Sequence, residues 1–405
     1  MGSEHATPDK PAGSATEVFV TFLKLGLTSF GGPIAHLGYF RDELVTRRCW
    51  IDEAAYGDLV ALCQFLPGPA SSQTGFALGV LRGNGLLGGL AAWTAFTLPS
   101  AIILVAFALG AAAFTGPIAE GALHGLKLVA VAVVAQAIWG MAKSLTPDRE
   151  RAGIALAAVA MVTFAGGSLG QIGAIALGAV AGLWLCRTQT TAPVGHLSFP
   201  VSRRRGAWAL ALVATLFVVP PLIGQATGYQ TITLFNAFYR AGALVFGGGH
   251  VVLPLLQAEV VTPGWVGSEA FLAGYGLAQA VPGPLFTFAA YLGAVMGPAP
   301  NGLIGAAIAL VAIFLPGLLL VYGTLPFWDA LRLRPSAQAA MRGTNAAVVG
   351  ILSAALYSPV WTSAVLSPRD FVLVLAGFLL LTVWKAPPWI VVVVLAAAGA
   401  VVKLL

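Results

Sequence analysis

Apolar residues run in long stretches along this chain, and the polar positions gather in short clusters between them. Stretches near the roughly 20 residues that cross a bilayer core occupy 86–112, 118–142, 168–186, 207–227, 301–325 and 337–357. Shorter ones lie at 152–166, 370–384 and 389–403. All read as helices, since a spanning segment must satisfy its backbone groups internally. The segments 16–30, 54–66 and 70–82, with their partners in the second half, differ in kind. Each is too short to cross, and Gly or Pro, which interrupt helices, separate it from the next. Each pair predicts a re-entrant hairpin, tolerable at membrane depth only where protein or a wet cavity surrounds it.

The polar punctuation repeats. Residues 22–33 read FLKLGLTSFGGP and residues 238–249 read FYRAGALVFGGG, with Phe22/Phe238, Lys24/Arg240, Gly26/Gly242 and Phe30/Phe246 matched at an offset of 216. Glu43 and Glu259 keep that offset, and a tryptophan follows each, Trp50 and Trp265. QFLPGP (64–69) matches QAVPGP (279–284) at 215, and Leu98-Pro99 matches Leu315-Pro316 at 217. An offset stable to two residues over this distance marks a duplication. The expected divisions are a disordered tail at 1–16, a first repeat at 17–186, a basic joint at 187–206 containing Arg203-Arg204-Arg205, a bridging helix at 207–229 and a second repeat at 230–405.

Composition fixes the class. Of 405 residues, 58% are hydrophobic and 9% charged, and the mean hydropathy is +0.89. A water-facing domain carries about 25% charged residues, so a soluble enzyme and a nucleic-acid binder are excluded. The three cysteines, Cys49, Cys63 and Cys186, form no metal or disulfide pattern. No cofactor or metal is expected. GNGLLG at 83–88 is formally GxGxxG, but no strand precedes it, so the dinucleotide reading fails on context.

The net charge of +6 gives orientation. Arg41, Arg47, Arg48, Arg82, Lys143, Arg149 and Arg151 flank first-half segments, whereas 256–268 and 297–301 carry no Lys or Arg. By the positive-inside rule the halves face opposite ways. The expectation is an all-α polytopic membrane protein of two inverted-topology repeats with broken, re-entrant helices and about 13 membrane segments. Its N-terminus would lie in the cytoplasm and its location would be the inner membrane.

Inverted repeats with discontinuous helices are the signature of secondary transporters. Half-helices beginning after Pro33, Pro69, Gly249 and Pro284 would aim uncapped N–H groups and partial positive charge at the centre, which favours an anion. Gly31, Gly32, Gly247 and Gly248 let backbone approach it. Ser71, Ser72, Gln73, Thr74 and Thr287 add donors. Lys24 and Arg240 are symmetry-related cations inside short apolar helices. A cation at the bilayer centre costs about 2.5–3.5 kcal/mol or more and therefore faces a cavity or a partner. A shared anion site is one reading; snorkelling to the interface, or pairing with Glu43 and Glu259, is the other. Lys127, which stands where the second half has Asn345, could be a gate, a substrate contact or a partner of Glu120. Glu43, Glu259, Lys127, Pro67, Pro69, Pro282 and Pro284 are the candidates for gating or proton coupling. His36, His124 and His250 read either as proton relays or as satisfied core groups.

At FGGP (30–33), QFLPGP (64–69), FGGG (246–249) and QAVPGP (279–284) the chain resembles the chromate ion transporter family, long-chain duplicated type. The resemblance covers nearly the whole chain after residue 16. It implies chromate export conferring chromate resistance, with sulfate linked to some relatives. The partners it implies are the anion and the lipid bilayer, with no nucleic acid; a homodimer is an allowed assembly. A gated anion channel on the same scaffold is the alternative. The second copy carries Gly249 where the first has Pro33, so a role for Pro33 does not transfer by symmetry.

Overall fold

A computed structural model describes residues 13–110, 116–187, 199–246, 249–328, 330 and 334–404. Among the described residues the chain is helical and contains no strand. Five helices are long and apolar enough to cross a membrane: Leu86–Gly110, Pro117–Leu145, Arg203–Thr227, Gly302–Phe327 and Pro335–Ala364. Helices of that length and composition are those of a multi-pass membrane protein.

The first half forms α1 (Ala15–Thr28), α2 (Gly32–Phe40), α3 (Glu53–Phe65), α4 (Ala70–Arg82), α5 (Leu86–Gly110), α6 (Pro117–Leu145), α7 (Arg149–Ala165) and α8 (Gly167–Leu185). After α9 (Arg203–Thr227) the second half forms α10 (Gln230–Ala243), α11 (Val252–Leu256), α12 (Ser268–Ala278), α13 (Phe288–Val295), α14 (Gly302–Thr324), α15 (Pro335–Ala355), α16 (Pro368–Thr382) and α17 (Pro388–Leu404). The helix ends follow local chemistry. Ser14, Asp52, Asp148, Ser202 and Ser367 each cap a helix by accepting from a first-turn N–H. Arg203–Arg205 form the first turn of α9 instead of preceding it. The GxGxxG segment is a tight turn between α4 and α5, with Asn84 and Gly85 at positive φ.

One feature of α2 and α11 escapes a 3.6-residue reading. Each runs on into a wider π-helical turn, Arg41–Arg47 and Gln257–Val261. The two turns hold Glu43 and Glu259 at equivalent positions. Such turns recur at functional sites.

The two halves exchange helices. The long α6 packs on α16 and α17 of the other half, and α15 packs on α7 and α8. Lipid provides no hydrophobic drive between helices, so contact rests on close van der Waals packing of small residues. Gly121 and Gly125 of α6 lie against the backbone of Gly399 and Leu395, and Gly178 and Gly182 of α8 lie against that of Gly343. A side chain at any of these would strike backbone. The outer faces of α5, α9 and α17 are apolar and exposed, with Ile102, Trp208, Leu222 and Val393 on them. The short α4 and α13 lie inside, buried along most of their length.

Candidate functional site at the helix breaks

Both PGP loops reach across to the opposite half. The Gly68 N–H donates to the Val245 carbonyl at 2.7 Å, and the Gly283 N–H donates to the Ser29 carbonyl at 2.9 Å. Gly68 and Gly283 are equivalents, as are Ser29 and Val245. Each loop also sits beside the proline inside the other half's long helix. Gly68 touches Gly317, next to Pro316, and Gly283 touches Ser100, next to Pro99. Pro33 and Gly249, themselves equivalents, meet: a Cβ on Gly249 would lie 3.1 Å from Pro33 Cγ. The broken segments of the two halves therefore converge.

Local backbone explains the breaks. Gly31 and Gly32 have φ of 99° and 79°, a region side chains disfavour. Pro33 then starts α2 in its first turn, where the missing N–H costs nothing. Gly68 and Gly283 also have positive φ, within their PGP turns. Pro69 caps α4, and Pro284 caps the short turn that leads into α13, neither supplying a side-chain hydrogen bond. Gly247 and Gly248 lie outside the described residues.

The residues after the first PGP are buried. Ser71 Oγ is 3.4 Å from His36 Nδ1. Ser72 Oγ has no hydrogen-bond partner among the described residues. Gln73 Nε2 donates to the Pro67 and Gly317 carbonyls, a second link between the halves. Thr74 Oγ1 donates to Ala70 O and Thr287 Oγ1 to Pro284 O, so these two hydroxyl protons are engaged locally.

The cations lie elsewhere in the hairpins. Lys24 Nζ is 3.2 Å from Glu43 Oε2, and the same carboxylate receives Arg47 at 3.0 Å and Arg48 at 2.8 Å. Arg240 grips Glu259 with two nitrogens, at 2.9 Å and 2.5 Å. Pairing with the glutamates, one of the two arrangements the sequence allowed, is the geometry observed. Neither cation donates to Ser71–Thr74 or Thr287 among the described residues. Lys127 is paired with Glu269 at 3.0 Å, while Glu120 is paired with Lys403 at 3.4 Å, so pairing with Glu120, one of the three alternatives for Lys127, is not the geometry observed. Among the histidines, His124 joins Asp370 at 2.7 Å and His250 joins the Tyr275 hydroxyl at 2.7 Å.

Sequence reading missed Arg47, Arg48 and Glu269 as partners, and the buried Thr97 and Ser100 beside Pro99 in α5. Arg47 had a signal, since it stands four residues after Glu43 on a helical segment. Among the described residues no cluster of His, Cys, Asp or Glu could hold a metal ion.

The family model described as chromate transporter matches residues 16–183 and again 232–400. The chain is 31% identical to a chromate transport protein of Pseudomonas aeruginosa, over 96% of this chain and 92% of that one. It is 29% identical to a probable chromate transport protein of Synechococcus elongatus, over 96% of each. A chromate transport protein of Cupriavidus metallidurans is 27% identical over 88% of this chain and 84% of its own length. No solved structure matches the chain.

Proposed function

The chain belongs to the chromate transporter family, and on that premise we propose that it is a secondary transporter exporting tetrahedral oxyanion dianions, chromate first. Export across the inner membrane would confer chromate resistance. In this reading the repeats insert with opposite topology, in about 13 membrane segments with the N-terminus in the cytoplasm. The anion is held between the helix N-termini at the breaks, Lys24 and Arg240 supply positive potential, and the Gly and Pro breaks serve as hinges for alternating access.

The observation that carries this reading is the reciprocal bond pair, Gly68 to Val245 and Gly283 to Ser29. It ties each half's loop to the other half's break, so movement of one half is felt at both. Charge supports the direction. Glu43 is surrounded by Lys24, Arg47 and Arg48, a net positive group, whereas the second-half segments 256–268 and 297–301 carry no Lys or Arg. With the first group facing the cytoplasm, as its basic flank suggests, the protein collects anions inside and lets them go at the more neutral side. The driving force suffices. One charge moved through 100 mV is worth about 2.3 kcal/mol, so a dianion leaving an inside-negative cell gains about 4.6 kcal/mol, a gradient on the order of 10³.

Uptake of labelled chromate into proteoliposomes, with sulfate as competitor, tests the proposal. Saturable flux with counter-transport supports it; unsaturable flux without counter-transport makes the protein a channel. Sulfate outcompeting chromate would make it a sulfate carrier. Lys24→Ala and Arg240→Ala should abolish resistance while the protein still inserts, and wild-type resistance in both rejects their assignment.

A further inference from the structure

The two breaks share a backbone plan but not a lining. At the repeat offset Ser29 answers to Val245, His36 to Val252, Ser71 to Phe286 and Thr97 to Phe314. On the second side all four residues are buried and apolar, and the Phe286 and Phe314 rings stand 5.6 Å apart. On the first side Ser29, His36, Ser71, Ser72, Thr97 and Ser100 are each no more than 2% exposed. They form one neighbourhood. His36 reaches Ser71 and packs edge-on against Phe96 at 5.3 Å. Ser100 donates to the Thr97 carbonyl. Gly283, bound to the Ser29 carbonyl, lies against Ser100 and the Phe96 carbonyl.

Four polar atoms here have no hydrogen-bond partner among the described residues: Ser29 Oγ, His36 Nε2, Ser72 Oγ and Thr97 Oγ1. Buried polar groups are nearly always paired, and unpaired ones are costly enough to call for an explanation. The nine-residue α2 and thirteen-residue α4 also begin here, and neither has a side-chain cap. Their first N–H groups add donors and partial positive charge.

We propose that the transported anion is held by the first half alone, by uncharged donors. Ser29, Ser72 and Thr97 hydroxyls and the His36 imidazole N–H take its oxygens together with the starts of α2 and α4. Val245, Val252, Phe286 and Phe314 form the apolar wall against which it moves. The ligand class is a tetrahedral oxyanion, whose oxygens on all sides match donors from three helices and the break. This rests on the transport reading above and assigns the contacts that the pair of cations does not make.

The test exchanges linings. Ser29→Val, His36→Val and Thr97→Phe each install the residue of the other half, and chromate uptake is measured in proteoliposomes beside the wild type. Each should raise KM about ten- to a hundredfold, the loss of one hydrogen bond to a charged oxygen. His36→Gln, which keeps an N–H donor, should recover most of the affinity. Ser29→Ala and Ser72→Ala remove little more than an oxygen and carry the same expectation where the larger exchanges fail to fold. Wild-type KM in the Ser29 and Ser72 variants overturns the one-sided site. A wild-type protein that moves no chromate overturns the transport reading instead.

Discussion

The two hairpin mouths show what the duplication kept and what it let diverge. In the first, α1 is tied to α4 by Glu17 and Arg82 at 3.0 Å, and the Arg48 and Arg82 guanidinium groups lie 5.8 Å and 5.5 Å from the Trp50 ring centre. In the second, the positions of Glu17, Arg48 and Arg82 are Thr233, Gly264 and Gly297. There the space opens as a cavity of about 330 Å³ lined by Thr233, Asn236, Arg240, Glu259, Thr262 and Trp265. The backbone devices are common to both: the break, the π turn bearing a glutamate and the cross-bond from the PGP loop. Charge and filling are not. The duplication thus held the backbone devices fixed and let the side chains of the two mouths diverge.

The strongest way to break this comparison is to attack what the halves share. Gly343→Leu would drive a side chain into the Gly178 carbonyl and the Gly182 backbone, and Gly125→Leu would do the same to the Leu395 carbonyl. Overpacking a core costs about 1–3 kcal/mol where side chains can yield; backbone against backbone cannot yield, so the cost should exceed that range. Both variants should lose the monodisperse peak in size-exclusion chromatography. A wild-type elution profile for either would mean that the exchanged helices are not held by close approach.

Next come the ion pairs, where the comparison predicts an inequality. Arg240→Ala takes from the buried Glu259 the guanidinium that binds both its oxygens, and such a loss costs more than that of an exposed pair. Lys24→Ala leaves Arg47 and Arg48 on Glu43, and Lys24 is half-exposed, so about 1 kcal/mol or less is at stake. Thermal melts in detergent should show the larger drop for Arg240→Ala, with Glu259→Gln in the same chain recovering part of it. Equal drops would remove the asymmetry.

What the sequence made legible was whatever rests on periodicity and on Gly or Pro. The start of α4 after Pro69, the short helices around it and the long apolar helices α5, α6, α9 and α14 follow from apolar run length and from residues that break helices. The π turns were not legible, because Arg41–Arg47 and Gln257–Val261 have ordinary helical composition and the extra residue per turn is set by tertiary contacts. Partner choice was equally hidden. Lys127 could be placed on a helix but not joined to Glu269, 142 positions away, without knowing that α6 crosses to the other half. Gln73 read as a donor past the PGP, yet its amide is occupied by two carbonyls.

That amide gives the next test. The second half holds Phe288 at the position of Gln73, packed on Phe271 at 5.2 Å and Tyr275 at 5.7 Å, so at this position one half uses hydrogen bonds and the other ring packing. Gln73→Leu leaves the Pro67 and Gly317 carbonyls without their donor, a loss of about 1–3 kcal/mol. The melting temperature should fall by less than in Arg240→Ala. An unchanged melt would show that the amide does not fasten the loop.

The smallest effect lies where Pro33 faces Gly249. The rings of two prolines could not both occupy this contact, because a Cβ on Gly249 already comes within 3.1 Å of Pro33 Cγ. One half therefore keeps the residue that fixes φ and the other keeps the residue without a side chain. Pro33→Gly makes the halves alike, removes no hydrogen-bond donor and adds only chain freedom to the unfolded state, a cost of about 0.4–1 kcal/mol. Gly249→Pro makes them alike in the other sense and crowds the contact, so it should destabilise more. The double exchange Pro33→Gly with Gly249→Pro restores one ring and one open side, and its melt should return toward that of the wild type. Recovery in the double variant would show that the FGGP and FGGG endings differ because they meet; additive losses would mean that each ending answers to its own half.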